Sequence, residues 1–566
     1  MTSDALNASA ADWQAVGRRK REEIQARIRP FLPDDGSFRP PPAEELRDGR
    51  EYARKYLDAT ELHLTEELSA MQLTGQIAHG QISAKQAVVA FCKRAAMAHQ
   101  LTNCLSEVFF DDAIRRAEEL DRHLATHGPV GPLHGLPVSL KDQFRVDGVE
   151  TSLGYVSWLG QPDTEASESL IVQHLKAMGA VLYAKTNVPT SLMAMETNNN
   201  IIGYTVNPFN RLLSSAGSSG GEAALLAMRG SIIGLGSDFS ASVRLPCSAQ
   251  GLYGLKPSHG RLSYLRVANS MEGQDLNHSV IGVMGHDVED LAFMTRSLLS
   301  QSPWEDDPKV APIPWTQAKF DDTLARGANQ RLTFGVLRCD GVVHPHPPVA
   351  RAIEQVVQAL QARGHEVIEW TPPTHAEAFD ILWNVFTADG GHDIHVALQA
   401  SGEDPVPQIA AVYGSKPGHL PLKSLHESWQ IATRRSEFQT SYLRYWKSTA
   451  QLTRTGQPVD FILMPTAPTA SFLPGQALYP GYTGVVSILD LPAVDVPVTR
   501  VQASQDEWHH RDQFFGDFDR QIWTQYDKDL FHNTPVGVQV VGRRLEEERV
   551  LAGAHLVASC LAADSS

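Results

Sequence analysis

Cysteine is scarce in this chain. Five stand in 566 residues, at positions 92, 104, 247, 339 and 560, and none forms a C-x-x-C pair. An odd, scattered set argues against a disulfide framework and suits free thiols in a reducing compartment. Positive charge is short as well: the formal net charge is −16. Phosphate backbones and anionic membrane surfaces need a basic face, so neither is an expected partner. The one basic cluster, Arg18-Arg19-Lys20-Arg21, runs straight into Glu22-Glu23 and reads as a solvated helix face. No apolar run approaches the roughly 20 residues that cross a bilayer. The opening MTSDALNASAADWQ has neither a charged nor an apolar signal region, so a cytoplasmic protein is expected. Neither H-E-x-x-H nor G-K-[ST] occurs, so no metal site, P-loop or cofactor is expected.

What is present is an ordinary globular composition, 42% hydrophobic and 20% charged, in a chain long enough to bury a charged group in a large core. Residues 1–60 read as an N-terminal helical extension, with DWQAVGRRKREEIQARI helical and FLPDDGSFRPPPAEE broken by prolines. A helix starts after Ser83, a good N-cap, and another runs from about Asp111 to His127. Short apolar runs such as LPVSL, AVLYAKT, GSIIGLGS, FILMPTAP and PVGVQVVG then alternate with helical stretches such as SESLIVQHLKAMG and GEAALLAMRG. Such alternation predicts an α/β architecture. RLTFGVLRCD and the stretch after it read as strand, helix, strand. Residues 302–329 and 502–533 read as loop-rich. No linker divides the remainder, so residues 61–566 are expected to form one large domain.

Three serines crowd the segment GSDFSASVRLP at 236–246, behind a strand-like run. Loops at strand ends are where α/β proteins place their chemistry, although a tight structural loop fits the composition too. Upstream, GSSGG at 217–221 matches G-x-S-x-G, but that motif needs a strand before it, and NPFNRLLSSA reads as turn-like. In GPLHGLPVSLKDQF, Lys141 ends an apolar run. A lysine there needs a reason; it snorkels to water, pairs with Asp142, or is buried, loses its charge and becomes a base, as in Ser-Lys catalysis.

These segments carry a resemblance. GPLHGLPVSLKD, AGSSGGEAALLAMRG, GLGSDFSASVRLP, GLYGLKPSHGRL, LPAVDVPVT and TPVGVQVVGRRLEEE resemble the amidase signature family, and more closely its fungal acetamidase-like members, over about residues 60–555. The resemblance implies a central mixed, twisted β-sheet covered by helices on both faces, and a Ser-cisSer-Lys triad. In this chain the triad is Ser242 as nucleophile, Ser218 as the cis serine and Lys141 as base. It further implies an oxyanion hole of backbone N–H groups at Phe239, Ser240 and Ala241; Asp238, Arg244 and Ser219 are expected to hold the loops, the alternative for Asp238 and Arg244 being a plain surface ion pair. Met193 and Met195, in SLMAMETNNN, match a pocket-lining segment, and core packing suits them equally. Cys247, His134 and His259 are expected to be structural.

The chain departs from the family pattern where Ser240-Ala241 replaces Gly-Gly before the nucleophile, where Ala216 replaces glycine, and at Ser487, where relatives often carry asparagine. A required positive φ at 240 or 241 would cost roughly 1 kcal/mol without glycine. The expected activity is hydrolysis of small primary amides through an acyl-enzyme, without cofactor. The alternatives are acyl transfer or ester cleavage by the same triad on a secondary-metabolite substrate, or a weakened, binding-only protein. The partner is a small-molecule amide, and the oligomeric state is left open, a homodimer included.

Overall fold

The computed structural model describes residues 12–33, 35–329 and 332–564. The segment MTSDALNASAA, part of the stretch read above for a signal, lies outside them. The chain forms two compact units. The first comprises the described residues up to Leu235, with Tyr264–Gln274 and Phe386–Ser424; the second comprises Gly236–Ser263, Asp275–Val385 and the described residues from Leu425 onward.

The first unit opens with the helix Trp13–Ile28, capped by Asp12, whose carboxylate accepts from the N–H groups of Gln14 and Ala15. Its basic cluster is not a solvated face throughout. Lys20 is buried and pairs with Glu107 at 2.5 Å and Glu150 at 2.9 Å, because the helix packs that side against the first strand. The helix Ala84–Thr102 starts at Ser83, whose hydroxyl accepts from Gln86 N–H at 3.0 Å. Strands β1 (Leu105–Val108), β2 (Pro137–Lys141) and β3 (Val181–Thr186) are buried along their whole length. Strands buried on both faces read as unbroken apolar runs, and helices must cover both sides. β4 (Val206–Asn207) and β5 (Asn210–Ser214) form a separate hairpin. This corrects the turn-like reading of NPFNRLLSSA. The hairpin is set by asparagine side chains, not apolar alternation: Asn207 accepts from Phe209 N–H and Asn210 from Leu212 N–H. β6 (Ile233–Asp238) pairs in parallel with β2 through Gly234 and Leu235, giving the order β1-β3-β2-β6, mixed because β1 runs antiparallel.

The second unit holds β7 (Tyr253–Lys256), β8 (Val280–Gly285), β9 (Thr333–Val336), β10 (Glu366–Glu369), β11 (Phe461–Pro465), β12 (Ala493–Arg500) and β13 (Pro535–Val541). Their order is β8-β7-β12-β13-β11-β9-β10, again mixed. β9 and β10 are parallel and joined by the helix Pro347–Ala362, whose Val349, Ile353, Val356 and Leu360 form one buried stripe. Two segments expected to be loop-rich contain helices, Gln317–Asn329 and Asp517–Thr524. The first has a faint stripe, Phe320, Thr323, Leu324 and Gly327, and packs against the helix Glu547–Asp564, where Gly327 meets the end of the Leu556 side chain. Among the described residues no helix is long and apolar enough to cross a membrane, and all five cysteines are free thiols.

Candidate active site

In the first unit the apolar run PVSL carries β2 into the core, and its next residue, Lys141, is fully buried. Lys141 Nζ donates to Ser218 Oγ at 2.7 Å, and Ser218 is 1% exposed. The peptide bond Gly217–Ser218 is cis. A Cβ at Gly217 would stand 2.9 Å from Glu196 N and 3.0 Å from Ala194 O, both backbone atoms, so only glycine fits there. Ala216, the departure from glycine noted above, has φ +61°, the left-handed region that glycine favours. Its carbonyl accepts from Thr197 Oγ1 at 2.8 Å, which fixes that geometry. Ser219 is buried and immediately precedes the helix Gly220–Ala227.

Asp142, the alternative partner for Lys141, turns elsewhere. Its carboxylate accepts from Ser106 Oγ at 3.0 Å, Leu153 N–H at 2.8 Å and Ser152 N–H at 3.1 Å. The buried acid near Lys141 is instead Glu222, from the helix after Ser219. Glu222 accepts from Ser139 Oγ and from Thr186 Oγ1 at 2.7 Å. Burial pushes its carboxyl up to about 7, against the opposing pull of those two hydroxyls and of the Lys141 charge.

In the second unit, β6 ends at Asp238, residues 239–243 form a loop, and the helix Arg244–Gln250 follows. Asp238 and Arg244 are fully buried and bidentate: Nη2 reaches Oδ1 at 3.0 Å and Nε reaches Oδ2 at 3.1 Å. A surface ion pair is therefore excluded at this position. Burial pushes the Asp238 carboxyl up, but the charge and hydrogen bonds of Arg244 outweigh it, and the group titrates below its usual value. Arg244 also donates to Ser240 O at 2.9 Å, to Ser487 Oγ at 3.0 Å and to Gln539 Oε1 at 2.9 Å. Asn277 Nδ2 holds Phe239 O at 3.0 Å. One guanidinium and one amide thus pin the loop that carries Ser242, which is itself half-buried.

Neither Ser240 nor Ala241 has a positive φ, so the missing glycines cost no left-handed strain. The N–H groups of Ser240 and Ala241 meet no protein acceptor among the described residues, although both residues are buried.

Met193 packs on the apolar cluster that includes Leu153, Tyr155, Ile394 and Tyr413. Met195 is half-buried, with its backbone against Gly217. The turn before them holds Ser191 at φ +67° and Leu192 at φ +66°, an uncommon conformation for a bulky residue. Cys247 is buried against Tyr253 O at 3.6 Å. His134 Nδ1 accepts from Val130 N–H at 3.0 Å, and His259 stacks on His278 at 3.8 Å. No group of three or more His, Cys, Asp or Glu among the described residues is arranged to hold a metal ion.

The sequence reading missed Glu222, Asn277 and Gln539. Two of them carry a signal: Glu222 is the lone charge in GGEAALLA, and Gln539 the lone polar residue in PVGVQVV.

The model of the family described as Amidase matches residues 86–551. The chain is 42% identical over 553 residues to the acetamidase of Aspergillus oryzae, covering 98% of this chain and 99% of that protein. It is 42% identical over 550 residues to the acetamidase of Emericella nidulans, covering 97% and 98%. Among solved structures it is similar to a fatty acid amide hydrolase, with a TM-score of 0.88 and 30% identity over 97% of this chain and 95% of that one.

Proposed function

The chain belongs to the amidase family, whose members hydrolyse carbon–nitrogen bonds of amides, and from that premise we propose that Ser242, Ser218 and Lys141 form its catalytic relay. The observation that carries the reading is the 2.7 Å contact between a fully buried lysine amine and the Ser218 hydroxyl.

A serine hydroxyl is a weak nucleophile until a base takes its proton. A hydroxyl both donates and accepts, so Ser218 receives the proton of Ser242 while passing its own to a neutral Lys141. Ser242 Oγ bonds to the amide carbon, and the carbonyl oxygen becomes an oxyanion. The unpaired N–H groups of Ser240 and Ala241, with Phe239 beside them, receive that charge. The C–N bond then breaks as the proton returns through Ser218 to the leaving nitrogen, giving ammonia and an acyl-Ser242. Water, deprotonated by the same route, cleaves the ester and releases the carboxylate. Asp238, Arg244 and Ser219 position these groups without touching substrate. The similarity to two acetamidases supports small primary amides as the substrate class.

Ser242→Ala is expected to lower kcat by roughly 10⁴-fold or more, with an unchanged thermal melt. A fluorophosphonate is expected to label the wild-type chain at Ser242 and not this variant. An active, cleanly folded Ser242→Ala protein would overturn the proposal.

A further inference from the structure

The second unit contains a cavity of about 590 Å³ that the reaction above does not use. Its wall combines three guanidinium groups, Arg435, Arg543 and Arg544, with two carboxylates, Asp490 and Glu546. The carboxylates are already engaged. Asp490 takes Arg544 Nε at 2.5 Å, and Glu546 takes Arg549 at 3.2 Å. Among the described residues, no carboxylate lies within ion-pair distance of Arg435 or Arg543, and Asp490 and Glu546 act on them only from farther off. Arg435 donates only to backbone carbonyls, and Arg543 lies over the Trp446 ring at 4.7 Å. Both are half-buried, and two partly desolvated cations facing one cavity favour an anion between them. The wall as a whole carries one more positive than negative charge, which matches a single negative charge rather than a dianion. The remaining lining includes Leu443, Leu489 and Leu491, the stacked rings of His259 and His278, and Gln439, whose Nε2 shares Ile488 O with Arg435 at 2.8 Å.

Arg435 has a second property. Its Nε donates to Ile488 O at 3.0 Å and its Nη1 to Leu276 O at 3.0 Å. Ile488 follows Ser487, which accepts from Arg244; Leu276 precedes Asn277, which holds Phe239 O. One cavity residue therefore grips the chain beside both anchors of the Ser242 loop.

We propose that this cavity binds a small organic monocarboxylate, with its acid group between Arg435 and Arg543 and its apolar body against Leu443 and the histidine rings, and that its binding alters the reactivity of the Ser242 loop through Arg435. A ligand competing for the Arg435 guanidinium changes the bonds to Ile488 and Leu276, and with them the two anchors. The binding stands apart from the catalytic reading, whereas its effect on reactivity rests on it. The acids released by amide hydrolysis belong to the same chemical class.

The test uses benzoate as probe and phenyl phosphate as the dianionic control. Calorimetric titration of full-length Ser242→Ala protein keeps turnover out of the measurement. One benzoate per chain is expected to bind. Arg543→Ala is expected to weaken it by about tenfold, and so is Leu443→Glu, which adds a negative charge to the lining. Leu443 is 59% exposed, so the second variant keeps the fold even where the first does not. Benzoate binding that neither variant changes, no binding at all, or tighter binding of phenyl phosphate overturns the site. In the wild type, saturating benzoate is expected to change the rate of fluorophosphonate labelling at Ser242 by about threefold, and not in Leu443→Glu. An unchanged rate overturns the coupling. The two readings fail separately: absent labelling removes the nucleophile, and absent calorimetric binding removes the cavity.

Discussion

Two lysines stand one register position apart on neighbouring strands, both fully buried, and their surroundings differ. In the β2–β3 register Leu140 faces Lys185 and Lys141 faces Thr186. Lys185 donates to Glu150 O and Thr151 Oγ1, both at 2.7 Å, with the Asp142 carboxylate 3.8 Å away. Burial lowers its pKa, and the charge of Asp142 opposes that shift. Its neighbours fix an ammonium in place. Lys141 instead meets a hydroxyl that can take or give a proton, while the aspartate next to it in sequence faces away. Burial alone does not make a lysine a base; the kind of group at its amine decides whether a proton has somewhere to go.

The contrast can be broken most directly by truncating each lysine at its Cβ. Lys141→Ala is expected to lower kcat/KM by about 10³-fold with little change in the melt. Lys185→Ala is expected to act on stability, costing about 3 kcal/mol because the buried Asp142 loses its counter-charge, while activity per folded molecule is retained. Chemical denaturation and active-site titration of both variants separate these effects. Equal losses of activity per folded molecule would erase the distinction.

A smaller effect sharpens it. The folded Glu222 carboxyl, near Lys141, keeps its proton up to about 7, while an unfolded glutamate releases it near 4.5. Between those values the native chain binds more protons than the unfolded one, so stability falls as pH rises through the window. Glu222→Gln is expected to flatten that fall, read as the denaturation midpoint at several pH values. A slope identical to wild type would mean that Glu222 ionises no differently in the folded chain.

Much of this arrangement is legible in the order of the residues alone. LPVSL, AVLYAKT and GSIIGLGS read as strands because strands buried on both faces need apolar residues at every position. Lys141 stands out because it ends such a run. The hairpin at Val206–Ser214 is illegible because asparagine side chains define it. The helix Gln317–Asn329 is illegible because its stripe contains a threonine and a glycine, and its partner begins at Glu547. The loop's supports are hidden for a similar reason. Asn277, Ser487 and Gln539 come from distant segments, and no local pattern shows that they converge on residues 238–244. The sequence raises the question of strain at Ser240-Ala241, but only backbone angles can answer it, and they place the left-handed residue at Ala216 instead.

The grip on Arg244 has a consequence for how the enzyme is made. Its guanidinium is shared among Asp238, Ser240, Ser487 and Gln539, so the full set of partners behind the Ser242 loop includes a glutamine of β13. On the ribosome, where the N-terminal part emerges first, residues 239–243 are made well before β13, which supplies Gln539. Until that strand arrives, the loop that carries Ser242 lacks one of the partners that hold its guanidinium anchor.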